Sequence, residues 1–239
     1  MSFKTSLFIS LAILMVMPLV SQTQYGGVWG GLSISNLAED PREAGISLNK
    51  RAGFAVGGVG IRGLSEIVFL QISPSFVQRG STVKGRLSYL GETIETEQDW
   101  KFSYVEVPVG LRLRFQGLSG PAFYVFGGGY GAVLISAKAR PESVTINGVP
   151  QDIEQEESDL KDFFKKYDFG LNLGGGFEFG LGGNAPDFLF VEGAVSIGLA
   201  NIAENDPEDE QVRIGNIAFM MRVGLLFSVG GSAGSQQGN

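Results

Sequence analysis

The 239-residue chain contains no cysteine and no histidine. Without cysteine there is no disulfide framework, no thiolate metal centre and no lipid-modified amino-terminal cysteine. Without histidine, Ser-His-Asp and Cys-His catalysis, the usual lipase and deacylase arrangements and His-ligated zinc are all excluded. Basic residues are also scarce: 18 Lys and Arg face 25 Asp and Glu, a net charge of −7. Phosphate binding needs basic clusters that this chain lacks, so nucleic acid is not an expected partner. No run is long and apolar enough to cross a bilayer as a helix with helix-compatible residues. Phe115 to Ala137 is free of charge, but it holds six glycines, among them Gly127, Gly128 and Gly129, together with Pro121, and these oppose a helix.

Glycine, by contrast, is abundant at 36 residues, without a collagen period, as suits a sheet with tight turns. Met1–Ser21 reads as a secretory signal peptide. Lys4 is its only charge, and Leu7–Val20 is an uncharged, mostly apolar stretch too short to span as a helix. Without Lys4 the exported chain carries 17 basic and 25 acidic residues, net −8. The expected organisation is a signal peptide at 1–21, one domain at 22–229 and a flexible tail at 230–239.

The strongest local pattern is Tyr167–Leu181. Tyr167, Phe169, Leu171, Leu173, Phe177, Phe179 and Leu181 alternate with Asp168, Gly170, Asn172, Gly174, Gly176, Glu178 and Gly180. Period two is a strand with one greasy face and one small or charged face. Eight such strands are expected: Tyr25–Asn36, Ala52–Ile61, Ile67–Arg79, Trp100–Phe115, Ala122–Ala137, Tyr167–Leu181, Phe188–Ala200 and Ile214–Phe227. Short connections (Arg62–Glu66, Gln116–Pro121, Gly182–Asp187) alternate with long ones (Leu37–Arg51, Gly80–Asp99, Lys138–Lys166, Asn201–Arg213). That asymmetry, with an even strand number, points to an all-β fold, an eight-stranded antiparallel up-and-down transmembrane β-barrel. In the fourth strand the phase slips where Trp100, Phe102 and Tyr104 join the polar face, and Pro108 predicts a bulge or break nearby. In the third long loop, acids from Glu156 to Asp159 and bases at Lys165–Lys166 predict one or two helical turns packed on the rim.

With the greasy faces toward lipid, the lumen receives Glu106, Arg112, Arg114, Asp168, Asn172, Glu178, Glu192 and Arg222, along with Gln71 and Ser73. Isolated buried charges are strongly disfavoured, so these should pair. An eight-stranded barrel has room for side chains and at most one small ligand. The expected role of this network is structural, filling the lumen and holding register; a proton or ion path is the alternative. Two motif matches carry no chemistry. Gly230-Gly231-Ser232-Ala233-Gly234 has no histidine to activate its serine. Gly58-Val59-Gly60-Ile61-Arg62-Gly63 precedes a turn and strand, not a helix. The acidic long loops match no ordered calcium loop. No catalytic, cofactor-binding or metal residue is assigned, and an enzyme is not expected.

The strands resemble the PorT-like outer-membrane β-barrel family of short eight-stranded proteins. The likeness follows chain order through Gly27-Val28-Trp29-Gly30-Gly31-Leu32-Ser33-Ile34-Ser35-Asn36-Leu37 and Gln71-Ile72-Ser73-Pro74-Ser75-Phe76-Val77-Gln78-Arg79-Gly80. Val105-Glu106-Val107-Pro108, Tyr167-Asp168-Phe169-Gly170 and Phe190-Val191-Glu192 continue it. Ser75 stands where members often carry an acid, and Trp29 where a polar residue is usual. The resemblance implies an outer-membrane location in a Gram-negative envelope after export. It also implies a link to protein secretion, the association of the founding member, and supplies no site residues. The expected function is a monomeric barrel in outer-membrane lipid, acting as a structural or interaction module for a membrane or periplasmic protein partner, in the manner of a secretion accessory. A small-solute transport or ligand-binding barrel is the alternative, and a soluble periplasmic β-barrel carrier a further one.

Overall fold

The computed structural model describes residues 24–40, 45–89, 91–115, 120–153, 155–182, 186–204 and 213–229. The signal peptide expected at 1–21 and the flexible tail expected at 230–239 lie outside them.

The chain forms β1 (Gln24–Asp40), β2 (Ile46–Gly63), β3 (Val68–Ile72), β4 (Ser75–Tyr89), β5 (Glu92–Phe115) and β6 (Ala122–Ile146). Two short pieces follow, β7 (Val149–Pro150) and β8 (Ser158–Asp159), then β9 (Tyr167–Gly180), β10 (Phe188–Gly198) and β11 (Arg213–Ser228). β3 and β4 are two halves of one wall strand, interrupted at Ser73–Pro74. The order β1-β2-β3/β4-β5-β6-β9-β10-β11 is antiparallel throughout, and β11 pairs back with β1 from Tyr25–Ser228 to Asp40–Arg213. Eight wall positions therefore close into a barrel with no free edge in the bilayer, where no water could satisfy one.

The faces divide as the alternation requires. On β9, Phe169 and Leu173 are 57% and 50% exposed, whereas Asp168 and Asn172 between them are 2% and 1% exposed. The apolar faces thus point outward, the reverse of a soluble carrier with a greasy interior. On β5 the outward apolar series runs from Val105 to Phe115, about 33 Å of strand, or about 25 Å of height at the usual tilt. That height matches a hydrocarbon core.

Three expectations require correction. Much of the long connections is strand: β1 extends to Asp40, β2 starts at Ile46, β4 reaches Tyr89, β5 starts at Glu92 and β6 continues to Ile146. β2, β4, β5 and β6 thereby project beyond the apolar band as a four-stranded sheet. Acidic content masked the period-two pattern there, because Glu95, Glu97 and Asp99 occupy only one face while Ile94, Thr96 and Gln98 occupy the other. The anticipated helix is a single 3-10 turn at Lys161–Phe163. Ser158–Asp159 instead joins β6 as β8, and the Leu160 amide donates to Ala137 O at 2.9 Å; so short a segment pays the full nucleation cost for one turn. Finally, Phe102 and Tyr104 do join the polar face, fully buried in the lumen beside Glu106, but β5 keeps one parity there rather than slipping phase. The break that Pro108 predicts falls on the neighbouring strand, where the Ser73 amide donates to Pro108 O at 3.0 Å and Pro108 has no N–H to return the bond. A bulge does occur near Ser103–Tyr104, on the β6 side of the ladder.

The outer mouth is closed by chain. Phe164 pairs with Ala203, and the Lys165 amide donates to Ile202 O at 2.7 Å. Phe164 stacks edge-on against Phe102 at 4.7 Å. Leu37, Leu134 and Ile202 complete a buried apolar layer above the polar lumen.

A charged lumen as the candidate functional site

Alternation along five different strands delivers the charged side chains to one interior. All eight anticipated lumen residues are there: Glu106, Arg112, Asp168, Asn172, Glu178, Glu192 and Arg222 are buried, and Arg114 is partly buried near the periplasmic end. They form two separate ionic clusters rather than one network, and Asn172 belongs to neither. Its amide donates to Ser196 Oγ at 2.6 Å.

The periplasmic-side cluster holds Arg112, Arg114, Arg222, Glu178 and Glu192. Arg112 pairs with Glu178, which also meets Arg114 Nε at 2.7 Å. The Arg112 guanidinium lies 3.3 Å from the Tyr124 ring centroid and donates to Gln71 Oε1 at 3.2 Å. Tyr124 in turn donates its hydroxyl to Glu192 at 3.0 Å, and Glu192 meets Arg222 at 3.2 Å. Arg222 lies over Trp29 at 4.7 Å. The Trp29 indole N–H is directed to Gly58 O and Ser73 Oγ, each at 3.0 Å, so Trp29 fills the lumen while its one donor is satisfied.

The outer-side cluster is built around Arg79, which the sequence reading missed. Arg79 is wholly buried, pairs with Glu106 and lies 3.5 Å from Asp168. It donates to the Tyr130 hydroxyl at 3.3 Å, and its guanidinium sits 4.9 Å from that ring centroid. Tyr130 donates to Asp168 at 3.2 Å. Asn216 Nδ2 donates to Asp168 Oδ2 at 2.9 Å and to the Tyr104 hydroxyl at 3.2 Å. The signal for Arg79 was available: it shares parity with Gln71, Ser73, Ser75 and Val77, all facing inward. The hydroxyls of Tyr104, Tyr124 and Tyr130 tie the charges together.

Four arginines face four carboxylates, so the lumen as a whole is neutral. The two clusters are not. The periplasmic-side one has three arginines and two acids; the outer one has one arginine and two acids. Glu106 and Arg112 are six residues apart on β5, about 20 Å along the strand. At that distance opposite unit charges attract by less than about 1 kcal/mol at an effective dielectric near 20, against several kcal/mol to bury one ion. The surplus charge on the periplasmic side has water available through Arg114, whose side chain is 13% exposed. The outer surplus lies beneath the apolar layer of the mouth.

Chemically the clusters are poor catalysts: each carboxylate is engaged by an arginine, tyrosine or asparagine, and no group of three carboxylates gathers among the described residues. The described acids of the long loops stand on the surface, and Glu157 is clasped by Lys138.

A family model described as outer membrane protein beta-barrel domain matches residues 21–204. No curated protein matches. Among solved structures, the chain is similar to Ail, the attachment invasion locus protein of Yersinia pestis, at 14% identity over 85% of this chain and 99% of that one, with a TM-score of 0.39. It is similar to the outer membrane protein OprG from Pseudomonas aeruginosa at 11% identity, covering 87% and 97%, with a TM-score of 0.44. The outer membrane protease OmpT from Escherichia coli is 10% identical, covering 88% and 99%, with a TM-score of 0.39. No residue role passes from any of them.

Proposed function

Because the chain belongs to the outer membrane protein beta-barrel domain family, we propose that it is a sealed outer-membrane anchor that presents its projecting sheet to a protein partner. The observation that carries this reading is the filled lumen: two ionic clusters and an apolar layer across the mouth occupy the path a solute would need. What remains available is the sheet of β2, β4, β5 and β6. One face carries the pairs Arg51–Asp99, Lys84–Glu97 and Arg86–Glu95. The other aligns Leu87, Ile94 and Ile146 in register. A sheet with one apolar face buries it against something, and Leu87 at the tip is 63% exposed. The likeness to PorT-like proteins supports a partner engaged in protein export, which makes the chain a secretion accessory.

Crosslinking in intact cells from positions on the projecting sheet should capture a protein partner, and bilayers containing the purified protein should show no conductance steps. Reproducible steps that disappear in Arg112→Ala or Glu192→Ala would favour the transport alternative.

A further inference from the structure

We propose that the outer-side cluster is a binding site for one monovalent metal cation, held by Glu106, Asp168 and Asn216. This goes beyond the anchor reading and does not depend on it.

Three observations converge. The cluster keeps one uncompensated negative charge, Arg79 against Glu106 and Asp168, in a region sealed from the exterior by Phe102, Leu134, Phe164 and Ile202. Water can solvate that charge but not cancel it; a cation of charge one does both. Next, three buried oxygens there accept no hydrogen bond from the protein: Glu106 Oε1, Asp168 Oδ1 and Asn216 Oδ1. Their residues are 1%, 2% and 1% exposed. The Asn216 amide cannot be reversed to remove its oxygen from this set, because its nitrogen is committed as donor to Asp168 Oδ2 and Tyr104. Lastly, Glu106 and Asp168 both stand opposite Ala132 in the sheet, one on each neighbouring strand. Ala132 is the small residue of that register row, and the two carboxylates converge over it toward Arg79.

The donor chemistry selects the ion class. All candidate ligands are oxygens, as hard cations prefer. Two carboxylates, one already shared with Tyr130 and Asn216, are too few for calcium, and a divalent ion would leave the cluster positive. Sodium or potassium leaves it neutral.

The test is the thermal unfolding of the full mature chain in detergent, in sodium, potassium and choline chloride at equal pH and ionic strength. Sodium or potassium should raise the midpoint by several degrees over choline, with saturation as the salt is exchanged. Glu106→Gln, which makes the cluster neutral without changing its shape, should abolish the difference. Asn216→Ala, which keeps the charge but removes one ligand, should shift saturation to higher cation concentration. Equal midpoints for the wild-type chain in all three salts would overturn the site and leave water or a proton as the neutralising species. An undiminished cation effect in Glu106→Gln would likewise overturn its assignment to this cluster. Should Glu106→Gln not assemble, the wild-type comparison and Asn216→Ala still decide. A missing partner or a conducting barrel would leave these outcomes unchanged.

Discussion

Arg79 has no exposed surface and holds two carboxylates, so its removal strands both in the lumen. Breaking a buried pair by deleting one member costs about 3–5 kcal/mol. Arg79→Met should therefore lower the urea stability of the folded barrel by that amount. Lys84→Met should change it by about 1 kcal/mol or less, because the Lys84–Glu97 pair is 52% and 33% exposed on the projecting sheet. Glycine acts at the same scale. A Cβ on Gly128 would lie 2.1 Å from Val109 O and 2.4 Å from Gly110 Cα, so β5 and β6 approach there only without side chains. Gly128→Val should abolish the compact, unboiled gel band, whereas Gly131→Ala, with nothing within 4 Å of its Cβ, should keep it. The inward parity of Arg79 was legible in the sequence; the closeness of Gly128 to Gly110 was not, because a glycine looks the same at a turn and at a backbone contact.

At the scale of elements, membrane and water divide single strands. On β5 the lipid-facing series ends at Val105, and the residues from Glu92 to Lys101 belong to the projecting sheet. Replacing residues 83–98 by a two-residue turn between the paired Thr82 and Asp99 should leave a barrel that still assembles and shows heat-modifiable migration, but no longer crosslinks to its partner. Failure to assemble would mean that the projection also supports the wall. β8 is held on β6 beside the exposed Lys138–Glu157 pair. The hydrogen bond from Lys138, and then its charge, hold the Glu157 carboxyl below the usual carboxylate range, while the same contact raises Lys138. The Glu157 contribution is thus present above its unfolded value of 4.5 and lost as pH falls through its lower folded value. The Lys138 contribution is present below 10.5 and lost as pH rises through its raised value. A spin label at Gln155 should be immobile between these limits and mobile beyond both, with Glu157→Gln mobile throughout. The eight wall strands were legible from period two. Their outward continuations were obscured because acidic residues on a water-facing sheet resemble a solvated loop.

The whole molecule is a barrel whose exterior is solvated by lipid and whose interior is solvated by its own ions. It should resist carbonate extraction and require detergent for purification; release as a soluble protein would contradict that. The sequence by itself determined the strand count, the outward greasy faces and the lumen membership of seven of the eight charges, because side-chain parity along a strand is a local property of the backbone. Only the tertiary structure decided how those charges pair. Pairing depends on shear between strands far apart in the chain, which brings Arg79 of β4 to Glu106 of β5 and Asp168 of β9, and Arg112 of β5 to Glu178 of β9. Closure likewise turned an overall neutral set into two clusters of opposite surplus, since it is the distance along the barrel axis, not composition, that sets which charges can cancel.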